Sequence, residues 1–268
     1  MIDRPGYVHG YSDDESVRLR DQAGTLADLL HHDTTYSAGS RVLEAGCGVG
    51  AQTRILARRS PQAHFVSVDI SPASLAQARA TVEGEGLRNV EFRQADLFAL
   101  PFAPDSFDHV FVCFVLEHLR QPEQALQALL RVLRPGGSLT VIEGDHGSAF
   151  FHPASPRAQR TIECLCQAQD AAGGDALVGR RLYPLLASLN LADVTVSPRF
   201  VYADASRPAW VDGFTRKTFI AMVEGAAEPA QKLGLISPKD WDEGIADLKR
   251  SIDGTFCYTF FKATAIRP

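Results

Sequence analysis

Between residues 41 and 145, short apolar runs alternate with segments whose apolar residues recur at helical spacing. The apolar runs predict strands with the sequences RVLEA, HFVSVDI, VEFRQAD, FDHVFVCFV and SLTVIEG. The segments between them predict helices at residues 51–59, 72–83 and 122–133. Ser71 and Pro72 suit the N-cap and the first position of the second helix. Apolar strands separated by helices indicate a mostly parallel sheet covered on both faces.

The alternation is looser on either side of this region. Residues 13–32 predict a helix, with Ser12 as N-cap and Glu15 completing a capping box. After residue 145 we expect a helix at 177–189 and strands in DVTVSPRFVY and TFCYTFFKATAI. The predicted fold is a doubly wound α/β sheet in three segments. These are residues 1–40 as an N-terminal helix and lid, 41–146 as a ligand-binding core, and 147–268 as the rest of the sheet, with helical cap insertions at about 147–175 and 205–254.

The composition leaves the predicted fold unchanged and excludes several classes of protein. The chain has 268 residues and a net charge of −5, so it has no general attraction for nucleic acid or anionic lipid. We identify no secretory signal and no apolar run of membrane-spanning length. The five cysteines lack disulfide or zinc spacing, so we expect a cytoplasmic protein without a metal. The oligomeric state stays open, a homodimer included.

The first loop after a strand is rich in glycine. Gly46, Gly48 and Gly50 follow the first predicted strand, where the backbone can turn tightly and let a ligand approach. Ligands of open α/β sheets bind beyond the carboxyl ends of the strands. The pattern Gly46-x-Gly48-x-x-Ala51 also satisfies the dinucleotide fingerprint, so the loop alone does not decide between ligands.

Three carboxylates at the same sheet edge favour one ligand. Glu44 precedes the glycine loop, and Asp69 and Asp96 end the second and third strands. A pyrophosphate about 4 Å from such a carboxylate faces a repulsion of several kcal/mol at an intermediate dielectric. S-adenosylmethionine instead offers a sulfonium, an ammonium, a ribose diol and an adenine. These residues therefore favour S-adenosylmethionine over a nicotinamide dinucleotide.

Five ordered motifs resemble those of class I S-adenosylmethionine-dependent methyltransferases. They are VLEAGCGVG, VDIS, ADLFALPFAPDSFDHV, VLEHL and LRPGG. They span about residues 40–145 and are most similar to the small-molecule branch that includes the ubiquinone/menaquinone-biosynthesis enzymes. The resemblance implies a Rossmann-like methyltransferase fold with a seven-stranded sheet and an antiparallel last strand.

The resemblance also implies roles for residues at matching positions. Glu44 and the Gly46–Gly50 backbone would hold the methionine portion, Asp69 both ribose hydroxyls, and Asp96 the adenine amine. Ile70 would pack on the adenine, and the Leu97 amide would reach a ring nitrogen. Cys113 or Phe114 would offer a carbonyl near the methionine. Other cofactor-binding candidates are Tyr11 of the N-terminal segment and Cys47 and Thr53 of the loop.

Candidates for a general base follow the fourth and fifth strands. His118, next to Glu117, lies in LEHL, and Asp145 and His146 lie in EGDHG, where the acceptor is expected to enter. A base is needed only if the acceptor must lose a proton. Aromatic residues of the insertions could line an apolar acceptor site or form the core of the cap. An acidic acceptor could be anchored by Arg180, Arg181, Arg199 and Lys217.

These observations predict methyl transfer to the oxygen, nitrogen or carbon of a small molecule. Three alternatives remain: a module that senses S-adenosylmethionine without catalysis, a nicotinamide-dependent oxidoreductase, and a methyltransferase that acts on a protein. His31, His32 and Asp33 look like a metal cluster in sequence, but a helix C-terminus favouring His accounts for them better.

Overall fold

A computed structural model describes residues 23–268. Within them, seven strands form one sheet in the order β3-β2-β1-β4-β5-β7-β6. The strands are β1 (Arg41–Ala45), β2 (His64–Asp69), β3 (Val90–Gln94), β4 (Phe107–Cys113), β5 (Leu133–His152), β6 (Ala192–Ala203) and β7 (Thr255–Ile266). The strands predicted from apolar runs are all present. Tyr11, Ser12 and the predicted start of the first helix lie outside the described residues.

Helices connect the strands and cover both faces of the sheet. The helix α1 is described over residues 23–31. The next helices are α2 (Thr53–Arg59), α3 (Pro72–Gly84), α4 (Pro122–Val132), α5 (Pro156–Ala171) and α6 (Leu182–Ala187). They are followed by α7 (Pro208–Trp210), a π-helix (Val211–Ile220), α8 (Ala221–Gly225), α9 (Ala227–Lys232) and α10 (Pro238–Lys249). As predicted, Ser71 caps α3 by accepting the amide of Ser74, and Pro72 begins the helix.

The sheet is mixed rather than purely parallel. β1, β2, β3, β4 and β5 pair in parallel, whereas β7 is antiparallel to both β5 and β6. The carboxyl ends of the parallel strands consequently meet at one edge. The loops that follow β1, β2, β3 and β4, which carry the predicted ligand-binding residues, lie at that edge.

One predicted insertion begins with a strand instead of a helix. Ile142 of β5 pairs with Cys113, the last residue of β4, yet β5 continues to His152. Its outer part pairs with β7, Phe150 opposite Cys257 and His152 opposite Thr255. The sheet therefore extends past the carboxyl edge, and residues 147–152 belong to it. Glycine, serine and alanine in this stretch obscured the strand pattern.

The inserted helices pack on one face of this extended sheet. Phe214 and Phe219 of the π-helix contact Tyr258 and Phe256 of β7, and all four side chains are buried. They belong to the same apolar core as Leu26 of α1. The opposite face buries α4 and α6 against the parallel strands. Over residues 23–268, no helix is long and apolar enough to cross a membrane.

Candidate active site

The glycine loop after β1 is built for close approach of a ligand. Gly46, Gly48 and Gly50 have φ of +71°, +53° and +77°, which side chains rarely adopt. A Cβ on Gly50 would lie 3.0 Å from Ala78 of α3, so this glycine lets the loop pack on the helix. A Cβ on Gly48 would meet nothing within 4 Å. The side of the loop at Gly48 is therefore open.

Asp69 at the end of β2 shapes this loop. Its Oδ2 accepts the Gly48 amide at 2.8 Å and its Oδ1 accepts the Ser71 amide at 2.9 Å. The residue is partly exposed. Each carboxylate oxygen has a second lone pair, so the side chain can accept two further hydrogen bonds from a diol. The structure thus places Asp69 beside the open part of the loop, and its contact with ribose stays a prediction.

Asp96 and two exposed apolar side chains lie next along the same edge. Asp96 is partly exposed, and its Oδ1 accepts the Phe98 amide at 2.9 Å, which leaves Oδ2 for another donor. Ile70 and Phe98 are 39% and 40% exposed, unusual for such large apolar residues. They follow β2 and β3, where a flat ring could pack between them. Leu97 is partly buried next to Phe98, and Phe98 was missed because its exposure, which residue type does not reveal, sets it apart.

Glu44 and Thr53 are buried beneath the loop. Glu44 Oε2 accepts hydroxyl hydrogen bonds from Thr53 and Ser67, both 2.6 Å long. Burial raises the pKa of Glu44 to about 7, against the opposing effect of these two hydrogen bonds. Thr53 is 0% exposed and its hydroxyl is bonded to Glu44, so the structure shows it supporting Glu44, and its contact with the cofactor stays a prediction. The electrostatic preference for a cationic ligand consequently rests mainly on Asp69 and Asp96.

Other loop candidates contribute through the backbone. The Gly46 and Cys47 amides donate to Val68 O of β2, at 2.8 and 2.9 Å, and fix the start of the loop. The Cys47 and Cys113 side chains are buried, and burial raises both thiol pKa values well above the usual range. Phe114 is partly buried with φ of +57°, so its backbone is strained where β4 ends.

The segment after β4 is held by Glu143, which the sequence did not single out. Glu143 Oε1 accepts the amides of Val115 and Leu116 at 3.0 and 2.8 Å. Val115 in turn packs against Gly46, where a Cβ would lie 2.6 Å from its Cγ2. Burial, followed by the charge of Glu117, raises the pKa of Glu143 well above its usual range. This carboxyl therefore holds the segment after β4 through two backbone amides.

Asp145 is paired with a cation, which contradicts its prediction as an acceptor-site base. Its two oxygens accept from Arg180 Nε and Nη2 at 2.6 and 2.7 Å. Asp145 is 2% exposed, whereas the Arg180 side chain is 47% exposed. A carboxylate held by a bidentate guanidinium is a poor base. Its role is to position Arg180.

His146 lies among groups brought from distant parts of the chain. Its Nδ1 is 2.8 Å from Tyr258 Oη, and its Nε2 is 3.3 Å from Glu117 Oε2. His118 Nε2 is 3.5 Å from Glu117 Oε1, so both predicted histidines meet the same carboxylate. The structure therefore brings both predicted histidines to one carboxylate, but His146 lies within β5 and not in a loop after it, and Tyr258 of β7 joins the group.

Other sequence candidates lie elsewhere. The described part of α1 ends at His31, whose Nε2 bonds Gln52 at 2.7 Å, while Asp33 bonds Lys262 and Arg199. Arg181 pairs with Asp175 and Lys217 with Asp212. The aromatic candidates divide into two sets. Phe214 and Phe219 form the buried core of the cap, and Phe150, Tyr183 and Tyr202 are exposed.

The residues at the cradle fit S-adenosylmethionine. The open face at Gly48 gives room for the methionine main chain. The partly exposed carboxylates of Asp69 and Asp96 can accept hydrogen bonds from a diol and an amine. The exposed side chains of Ile70 and Phe98 can pack on a flat ring. Within residues 23–268, no cluster of three His, Cys, Asp or Glu side chains could hold a metal ion.

Comparisons with known proteins agree with this geometry. Residues 43–141 match a family model described as a methyltransferase domain. Methyltransferase GfsG of Streptomyces halstedii is 36% identical over 138 residues, covering 50% of this chain and 49% of that protein. Demethylmenaquinone methyltransferase of Thermus thermophilus is 42% identical over 106 residues, covering 40% and 48%. The matches thus span about half the length of these relatives.

The fold also resembles solved structures. Phosphoethanolamine N-methyltransferase 2 of Haemonchus contortus, solved with S-adenosylhomocysteine, superposes with a TM-score of 0.59 at 18% identity. The superposition covers 96% of this chain and 58% of that one, and at this identity it shows the fold alone. Together with the sequence relatives and this geometry, the match makes residues 43–141 a methyltransferase domain of the S-adenosylmethionine-dependent type.

Proposed function

We propose that this protein transfers the methyl group of S-adenosylmethionine to a small-molecule acceptor bound beyond the carboxyl end of β4 and beside residues 143–146 of β5. One observation carries the proposal: the open glycine cradle is flanked by Asp69 and Asp96 and by the exposed apolar side chains of Ile70 and Phe98. The cofactor supplies an already activated methyl group when it is bound. The chain's tasks are to hold and align the two ligands and to exclude water.

The surroundings of the acceptor region favour a small molecule over a protein side chain. Glu143, His146 and Tyr258, at the ends of β5 and on β7, are each less than 5% exposed. The π-helix and α10 share the apolar core that covers this face of the sheet. An acceptor that reaches these groups must be enclosed, and a residue on a folded protein does not fit such a site.

The relatives support an apolar acceptor. Among them are enzymes named demethylmenaquinone methyltransferase and 2-phytyl-1,4-naphtoquinone methyltransferase. In this chain, Phe114 contacts Phe260 with ring centroids 5.3 Å apart, and Phe260 contacts Tyr258 at 4.7 Å. This aromatic row runs from the segment after β4 to β7, so a planar apolar acceptor suits the region beside the cradle.

Two measurements test the proposal. Calorimetry should show binding of S-adenosylmethionine and S-adenosylhomocysteine, with no binding of a nicotinamide dinucleotide. Methyl-labelled S-adenosylmethionine, incubated with a deproteinised bacterial extract, should label a small molecule. Binding of the dinucleotide alone would contradict the assignment of the cradle, and cofactor binding without any labelling would favour the sensing module.

A further inference from the structure

Three side chains lie in a row beside the middle of β5: one hydrogen bond joins His146 and Tyr258, and Glu117 is within ion-pair distance of His146 without a hydrogen bond to it. Glu117 Oε2 lies 3.3 Å from His146 Nε2, and His146 Nδ1 lies 2.8 Å from Tyr258 Oη. His146 and Tyr258 are 4% and 1% exposed, and Glu117 is 7% exposed. Tyr258 is 112 residues away from His146 in the sequence, so only the β5–β7 pairing unites them.

The partners fix where the protons lie. Glu117 Oε2 makes no hydrogen bond with Nε2, but at 3.3 Å the negative charge of an ionised Glu117 favours a proton on Nε2 over one on the more distant Nδ1. Nδ1 is then an acceptor and takes the hydroxyl proton of Tyr258 as its hydrogen bond. In this arrangement His146 can receive a proton at Nδ1 while Glu117 stabilises the imidazolium that results. The order resembles a carboxylate–imidazole–hydroxyl triad in its roles, with a phenol at the end.

The other charged groups near His146 leave this arrangement intact. Asp145 is matched by the bidentate guanidinium of Arg180. Burial and the charge of Glu117 raise the pKa of Glu143 well above its usual range, and its Oε1 accepts the amides of Val115 and Leu116 rather than contacting the imidazole. The titratable or charged groups that face the chain from neighbouring elements are Glu143 and Asp145 of β5, His118 after β4, Cys166 of α5 and Arg180 before α6. Among residues 23–268, the carboxylate recorded within ion-pair distance of the His146 imidazole is Glu117.

The tyrosine hydroxyl occupies a space that a glycine leaves open. A Cβ on Gly144 would lie 2.3 Å from Tyr258 Oη and 3.7 Å from His146 Cε1. Tyr258 is also connected to the cofactor side through Phe260 and Phe114. The hydroxyl is thus at the acceptor end of the aromatic row, beside the carboxyl end of β5.

We propose that Tyr258, His146 and Glu117 accept the proton of the methyl acceptor, and that the acceptor therefore belongs to the protic class: a phenol, an enol or an amine. This inference rests on the proposed function. As the acceptor attacks the methyl carbon, the carbon–sulfur bond breaks and its electron pair stays on sulfur, giving a neutral thioether. The acceptor's proton passes to Tyr258 Oη, while the Tyr258 hydroxyl proton passes to His146 Nδ1. The positive charge lost by the sulfonium appears on His146, opposite Glu117.

The two proton transfers at Tyr258 occur together. Burial, and then the charges of Glu117 and Asp145, raise the pKa of Tyr258 well above its usual range. A free phenolate is therefore not a resting state of this site. Tyr258 touches the acceptor and is a catalytic residue, whereas Glu117 acts through His146 and is a positioning residue.

The first test needs no acceptor. Imidazole nitrogen NMR of histidine-labelled protein with bound S-adenosylhomocysteine should show His146 protonated on Nε2 and unprotonated on Nδ1. Tyr258→Phe should shift its Nδ1 signal, and the exposed-tyrosine control Tyr202→Phe should leave it unchanged. An imidazolium that persists well above neutral pH would overturn the proposal, because a permanently charged His146 cannot accept a proton.

The second test uses phenols of graded acidity as probes with labelled S-adenosylmethionine. His146→Asn should lower kcat for a weakly acidic phenol by about a hundredfold near neutral pH, the size expected for loss of a general base. The loss should shrink to a few-fold for a nitrophenol that is already ionised in solution. Gly144→Ala, which displaces the Tyr258 hydroxyl, should show the same dependence on acidity, and the exposed-histidine control His64→Asn should resemble the wild type.

Two results would overturn the inference. One is an equal loss for ionised and un-ionised phenols, which indicates a structural role. The other is methylation of alkenes or tertiary amines with no methylation of phenols or amines. Failure of the proposed function looks different, because wild-type protein would then not bind S-adenosylmethionine by calorimetry, whatever the state of His146.

Discussion

The carboxylates of the two sides of the site differ in burial. Asp69 and Asp96, at the ends of β2 and β3, accept amides from nearby loops and are partly exposed. Glu143 and Asp145 of β5 are buried, and their hydrogen-bond partners are distant in the sequence. Asp96 bonds an amide 2 residues away, and Asp145 pairs with an arginine 35 residues away. Exposed acceptors keep lone pairs for a ligand, while buried carboxylates must be matched inside the protein. Mutations on the cofactor side, at Asp69 and Asp96, should therefore mainly change the affinity for the cofactor. Mutations on the acceptor side, at Glu143 and Asp145, should mainly change the stability of the fold and proton transfer.

The largest effect expected is on cofactor binding. Asp69→Ala removes two hydrogen bonds to the ribose, each worth about 1.5–3 kcal/mol when the acceptor is charged, so affinity for S-adenosylmethionine should fall at least about tenfold. Calorimetry measures this directly. Asp170→Ala, at an exposed position on α5, is the matched control. Unchanged affinity in Asp69→Ala would remove this residue from the cofactor side.

A comparison of Gly50 with Gly39 tests whether packing against α3 holds the glycine loop in place. Gly50 and Gly39 share a φ of +77°, but a Cβ meets Ala78 at 3.0 Å only at Gly50. Gly39→Ala should lower the free energy of unfolding by about 1–2 kcal/mol through left-handed strain alone. Gly50→Ala should lose about 1–3 kcal/mol more from overpacking. Equal losses, measured by urea unfolding, would show that Ala78 moves aside and the loop is not fixed by α3.

The pH dependence of stability tests a buried link behind the cradle. His31, which bonds Gln52, is 0% exposed, and burial is the main cause that lowers its pKa from 6.5 to about 4. The unfolded chain therefore binds a proton in this range that the folded protein does not, so stability falls as pH drops from about 6.5 towards 4, by up to about 3 kcal/mol.

His31→Gln keeps a side chain that can bond Gln52 but does not titrate. The difference in unfolding free energy between wild type and variant should change over that pH interval. Glu44, whose pKa is raised to about 7, contributes with the opposite sign in both proteins and cancels in the difference. A difference that is constant with pH would show that His31 titrates normally in the folded protein.

On the acceptor side, removing a partner should destabilise the fold. Arg180→Met leaves Asp145 buried without its cation, which should cost about 2 kcal/mol, below the range for a fully buried pair because Arg180 is half-exposed. Adding Asp145→Asn should restore part of the loss in a double-mutant cycle. If Arg180→Met leaves the free energy of unfolding unchanged, Asp145 does not require this partner. The acceptor side would then not differ from the cofactor side in its dependence on buried partners.

The sequence was most informative where partners are close in the chain. The strands of the parallel sheet, the cap at Ser71 and the carboxylates after β1, β2 and β3 follow from apolar runs and short motifs, because each depends on a few adjacent residues. The sequence did not show that the Thr53 hydroxyl turns inward to Glu44, because that contact depends on how α2 packs beneath the loop. Phe98 was missed because exposure, not residue type, sets it apart.

What the sequence alone determined is the α/β architecture, the glycine cradle and the kind of ligand its edge carboxylates favour, because strand ends and loop composition are local properties of the chain. What only the tertiary structure decided is the extension of β5 to His152, the pairing of Asp145 with Arg180 and the meeting of Glu117, His146 and Tyr258. Those depend on the antiparallel register of β7 against β5, which brings together residues far apart in sequence. Burial then changes which of these groups carry charge, and residue identity does not reveal burial.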